Sequence, residues 1–274
     1  MKQKLSLLSI CIACFILLSS HDMFLKFRSY YLQPQTDASV FLYNGTFDKS
    51  ENVMERDRMK DVSLINPGQK VVHPATGQWK EENNQTILTF KTGKEGTGVI
   101  ALSTKSKVLS MSAADFEEYL KHDGITDVYE ARKKSGESSK PAAENYSKHV
   151  KAIFQTGAAR SNDYKTVLGY PVEFVPQANP YSLKTGDELT VQLLKNGKPL
   201  ANELVYASHA GYHGHAEDGA HLEAVKTRTD KNGLVTIKLS KAGHWYLRTI
   251  HMVKSNEAGV DYESNWATIT FEIK

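Results

Sequence analysis

The sequence predicts a mainly β protein: two β-sandwich domains, immunoglobulin-like or prealbumin-like, joined by a short helical segment. Three observations carry that expectation. Short runs rich in Val, Ile, Thr and aromatic residues recur between Asn, Gly and Pro, as strands of a sandwich do. Asn196-Gly197 and Asp230-Lys-Asn-Gly233 supply hairpin turns between such runs. Only between residues 111 and 155 does the apolar spacing change from about 2 to about 3.6. At 274 residues, 40% hydrophobic and 24% charged, the chain has material for two cores. That composition excludes both a disordered chain and a polytopic membrane protein.

Residues 1-20 read as a secretory signal. Lys2 and Lys4 form the basic region, Leu5 to Leu18 the apolar one, and Ser19-Ser20 the small residues before cleavage. The apolar run is shorter than the roughly 20 residues a membrane-spanning helix needs. Both cysteines, Cys11 and Cys14, fall inside it, so a mature chain starting at His21 carries no thiol: no disulfide, thiolate ligand or cysteine nucleophile. Removing two lysines takes the formal charge from +3 to +1, and no basic patch recommends nucleic acid. The expected location is the periplasm.

Residues 21-110 form the N-terminal sandwich. Its strands are expected at 23–32, 39–43, 86–91 and 98–103, the last two joined by the turn-like 92–96. His73 lies in a loop beside Pro74. Residues 111-163 are the helical connector. Ser112 caps a helix with Asp115 at its third position, Met111 and Phe116 staple it, and Gly124 ends it. After the polar spacer Lys133 to Lys140, the stripe Ala142, Tyr146, Val150, Ile153 and Phe154 predicts a second helix from Ala142 to Gln155. Residues 164-274 form the C-terminal, prealbumin-like sandwich, with about seven strands.

The most unusual stretch lies in that last domain. His209, His213, His215 and His221 place four of the ten histidines within thirteen positions, among Gly211, Gly214 and Gly219. Neutral imidazole binds borderline divalent metals, Glu217 and Asp218 could add oxygen ligands, and the glycines let the backbone fold back. A solvated polar loop is the bland alternative. His21, as a new first residue, could chelate through its amine and ring. Strand parity puts His209 on the face of Val205 and Ala207, and His251 on that of Trp245 and Leu247, both at strand ends on the core side.

Several motifs in order resemble a known family. They are His21-Asp-Met-Phe-Leu after a signal, Phe116-Glu-Glu-Tyr-Leu120, Glu144-Asn-Tyr-Ser-Lys148, Gly197-Lys-Pro-Leu200, Thr229-Asp-Lys-Asn-Gly233 and Gly243-His-Trp with Arg248-Thr-Ile-His-Met252. The chain is similar, over nearly all its mature length, to an exported bacterial family of uncharacterised two-domain β proteins labelled nickel-uptake substrate-specific component. The resemblance implies nickel or cobalt-type metal uptake in a Gram-negative periplasm, with His21 and His251 at matching candidate ligand positions. It implies no catalytic residue. Ala143, before Glu144, stands where members commonly carry arginine.

The function expected is therefore a non-enzymatic periplasmic protein that binds a divalent transition metal (zinc, nickel or cobalt, with copper also accommodated by nitrogen and oxygen donors) for uptake or buffering. Its metal ligands would come from His21, His209, His213, His215, His221 and His251. Its partners would be the ion and an outer- or inner-membrane metal transporter. Two other classes compete: a copper-dependent oxidative enzyme built on His21, and a β-sandwich carbohydrate or adhesion module.

Overall fold

The computed structural model describes residues 22–212, 214–215, 221–222 and 224–274. In chain order the first half holds β1 (Asp22–Lys26), β2 (Tyr31–Leu32), β3 (Asp37–Gly45), β4 (Ser50–Asn52), β5 (Met59–Ile65), β6 (Trp79–Glu82), β7 (Gln85–Lys91), β8 (Gly96–Thr104) and β9 (Lys107–Met111). Helices α1 (Ala113–His122) and α2 (Thr126–Ser135) lead to β10 (Ala142–Thr156). Then follow β11 (Val172–Pro176), β12 (Glu188–Lys195), β13 (Lys198–Pro199), β14 (Leu204–His209), β15 (Gly214–His215), β16 (His221–Leu222), β17 (Val225–Arg228), β18 (Leu234–Lys238), β19 (Gly243–Lys254) and β20 (Tyr262–Ile273). The protein is mainly β.

One nine-stranded sheet runs through both halves, in the order β17-β14-β19-β20-β10-β8-β5, with β2 and β9 also paired to β10. A five-stranded sheet (β1, β3, β4, β6, β7) and a four-stranded one (β11, β12, β13, β18) complete two sandwich-like halves. Inward positions alternate as a half-buried strand requires: Val40 and Leu42 on β3, Leu189 and Val191 on β12. These side chains join Phe154, Trp245, Leu247 and Phe271 of the long sheet in one continuous apolar cluster. On the other side of that sheet, Phe116, Tyr119 and Leu120 of α1 pack with Tyr262 and Trp266.

The second expected helix is absent: residues 142–156 are a strand. β10 pairs antiparallel with β8 and β9 and parallel with β20, so it joins the halves. From Lys148 to Thr156 every residue is buried, because other layers cover both faces, and the period-2 signal disappears. Lys148, Lys151 and Gln155 are buried polar residues that made the sequence read as an amphipathic helix. The first helix forms as expected. Ser112 Oγ accepts the Asp115 N–H at 3.2 Å, and Gly124 takes φ +73° beyond the last turn. The spacer is partly helical too, since α2 runs to Ser135 and Gly136 ends it at φ +71°.

Candidate functional site

The histidine-rich stretch begins where β14 ends. Trp245 is paired opposite His209, and the two rings meet edge-on with centroids 5.1 Å apart, while Tyr212 closes the other side at 5.6 Å. His209 Nδ1 donates to the Ala210 carbonyl at 3.1 Å. A neutral ring in that tautomer keeps its lone pair on Nε2, the atom a metal would use. Gly211, at φ +71°, donates its N–H to Asp48 Oδ2 at 3.1 Å, and Ala210 N–H donates to the His244 carbonyl at 2.9 Å. The base of the loop is thus fastened to both halves of the chain.

Further along, β15 and β16 form a two-stranded antiparallel ribbon whose backbone register sets His215 opposite His221 and Gly214 opposite Leu222. Directly opposed positions are the closest spacing an antiparallel pair offers. His213 and His21 lie outside the described residues.

His251 has other company. Its parity is as expected, buried on the Trp245 and Leu247 face. Its Nδ1 donates to Glu203 Oε2 at 2.6 Å, and its Nε2 accepts from the Lys195 ammonium at 2.8 Å. A metal at Nε2 would have to displace that ammonium. Glu203 lies six residues before His209 along an extended chain, so the two imidazoles are about 20 Å apart. They do not share a site. Among the described residues, no three His, Cys, Asp or Glu side chains gather where they could hold one ion.

A second polar locus, which sequence reasoning missed, lies at the start of β1. Asp22, bonded to His21, has its Oδ2 3.6 Å from Arg248 Nε. Arg248 also donates to the Asp123 carbonyl at 3.1 Å and lies over the Tyr206 ring at 4.6 Å. His122 Nδ1 donates to Asp123 Oδ1 at 3.0 Å, and that bond raises the imidazole pKa. Behind them Glu144 accepts from Tyr119 Oη at 3.0 Å and from Ser264 Oγ. Burial pushes the Glu144 carboxyl up and brings the Lys148 ammonium down to about 8. The Lys148 ammonium rests over the Trp266 ring at 4.7 Å. Buried groups with shifted titration gathered in one place are candidates for function. Glu144 and Lys148 were hidden by being read as the polar face of a helix. No local signal could have found them, because opposite charges four residues apart read equally well as a surface pair on a helix.

His149 is buried within β10. Ser103 Oγ approaches its Nδ1 at 2.9 Å and Asn265 Oδ1 its Nε2 at 3.2 Å, and burial lowers its pKa to about 4. His73 sits in its loop against Asp61 at 2.9 Å.

With this geometry in place, the family described as a domain of unknown function (DUF4198) matches residues 18–253, and the chain belongs to that family. No curated protein matches. The D0-D1 domain of intimin is similar over 91% of this chain and 97% of its own, at 11% identity and a TM-score of 0.19. Escherichia coli alpha-2-macroglobulin is matched over 93% of this chain and 20% of its own, at 10% identity and 0.25. The Yersinia pseudotuberculosis adhesin InvE is matched over 91% and 58%, at 12% identity and 0.21.

Proposed function

With membership in a family of unknown function as the premise, we propose that this is an exported, non-enzymatic protein that binds a divalent transition metal (zinc, nickel or cobalt) for uptake or buffering. The metal is its cargo. The observation that carries the reading is the ribbon register, His215 opposite His221, on a loop whose base holds His209 as its Nδ1–H tautomer. A donor set of imidazoles without thiolate suits these ions. The fastening of Gly211 to Asp48 lowers the entropy that the loop base loses on binding. The sequence resemblance to nickel-uptake components points the same way. His213 is a further ligand in this reading, and His21 would supply a separate site beside Asp22.

The test is calorimetric titration of the mature chain with zinc and with nickel. Replacing His215 and His221 together by alanine should abolish stoichiometric binding with the fold intact. His251→Ala should leave the stoichiometry unchanged. His21→Ala separates the amino-terminal site from the loop. Protons compete for imidazole, so affinity should fall as pH drops from about 7.5 to about 5.5. A double variant that binds as tightly as the parent removes the loop from the proposal.

A further inference from the structure

We propose that the pocket between β1, β3 and the start of β19 binds a small organic carboxylate with an apolar body. The cavity measures about 370 Å³. Three of its lining residues, Lys26, Arg28 and His244, carry or can carry positive charge, and no carboxylate lines it. Phe27 and Phe41 give it an apolar wall.

Neither Lys26 nor Arg28 has a carboxylate within ion-pair distance among the described residues. Lys26 is buried. The Phe47 carbonyl accepts from it, and the Phe47 and Tyr43 rings lie 4.0 and 4.8 Å away. Desolvation lowers its pKa to about 8, against the opposing pull of Asp48. It is still mostly charged at neutral pH, and buried charge is costly without a counter-charge. Arg28 is exposed beside it, with its guanidinium 5.3 Å from the Phe41 ring centroid and no hydrogen bond or ion pair to any described residue. Its planar fork is free for a two-oxygen acceptor.

The remaining polar groups fit the same ligand. Gln85 Nε2 donates to Tyr43 Oη at 3.1 Å, which leaves the phenolic hydrogen to donate elsewhere. The nearby acids are engaged outside the cavity. Asp48 accepts from Gly211 N–H, and Glu272 accepts from Tyr30 N–H at 2.8 Å while lying 3.7 Å from His244 Nε2. Phe41 and Arg28 also line a neighbouring groove of about 650 Å³ along the outward face of β3 and β7, where Ile87 lies among polar residues that include Asp37, Lys80 and Glu82. Cations beside the aromatic wall of Phe27 and Phe41 describe a carboxylate with an apolar body.

The experiment uses the mature chain, freed of metal by a chelating resin, titrated calorimetrically near neutral pH with benzoate, its neutral amide benzamide, and inorganic phosphate. Benzoate should bind, benzamide should not, and the exposed variant Arg28→Gln should weaken benzoate by about tenfold or more. In side-chain nitrogen NMR, saturating benzoate should move the Lys26 titration upward from about 8. A Lys26→Met variant that keeps its circular dichroism should lose the site. No benzoate binding up to about 20 mM would overturn the proposal, as would equal binding of benzamide or an unchanged Arg28→Gln. Phosphate binding tighter than benzoate would overturn the organic part of it.

Discussion

His209 closes one end of the ladder between β14 and β19 and His251 lies three residues beyond its other end, on the same core-side face, yet their chemistry differs. At the Glu203 end both ring nitrogens are engaged, one by a carboxylate and the other by an ammonium. At the loop end only Nδ1 has a described hydrogen-bond partner, and it is a neighbouring carbonyl. The first arrangement fixes a ring for packing and bridges β12 to the long sheet. The second holds a ring by its edges and leaves a lone pair for a ligand. Residue type and strand parity, which are equal at the two ends, did not decide this. The partners did.

His149 extends the comparison and has the largest expected effect. Its folded pKa of about 4 lies below the ordinary 6.5, so between those values the unfolded chain binds a proton that the native one refuses. Stability should therefore fall as pH drops from about 6.5 to about 4, by on the order of 3 kcal/mol from this residue. Urea midpoints across that range would measure it, and His149→Gln should flatten the slope. An unchanged slope in the variant would assign the acid sensitivity to other groups.

Next in size is the wired end. Glu203→Ala leaves His251 Nδ1–H without its acceptor and should cost about 2 kcal/mol in urea unfolding, with the m-value unchanged. A cost below about 0.5 kcal/mol would make the two ends equivalent. The smallest effect belongs to His209→Ala. It should change stability by only about 0.5–1 kcal/mol, through lost ring contact with Trp245, while weakening metal binding by about tenfold or more. A large loss of stability with unchanged metal affinity would reverse the roles assigned to the two ends.

Legibility in the sequence followed the same division between local and partner-dependent information. The Asn196-Gly197 turn takes φ +49° and +74°, as its residue types demand, and α1 forms between the Ser112 cap and Gly124. These signals lie within a few residues of one another. β10 was misread because its environment comes from strands and helices distant in sequence, which bury Lys148 and Lys151 beside Val150 and Ile153. Lys151 finds Glu173 at 2.5 Å, a pairing that no local pattern announces. For the candidate site, the histidine spacing was legible, as was the parity of His209 and His251. The Lys195–His251–Glu203 chain was not, since its members come from three separate segments.

The parallel pairing of β10 with β20 also dictates an order of assembly. Their partnered residues are 118 positions apart, so the middle of the long sheet cannot close until the last strand has been made. A chain synthesised from its amino terminus carries β10 meanwhile as an open edge, with Phe154 and Ile153 among its residues, and such edges invite pairing with other chains. Contacts this distant in sequence are slow to form, because loop closure precedes their reward. The twelve residues of β20, Tyr262–Ile273, act as the latch of the long sheet. Loss of that strand would leave the first half of the protein as exposed to aggregation as the second.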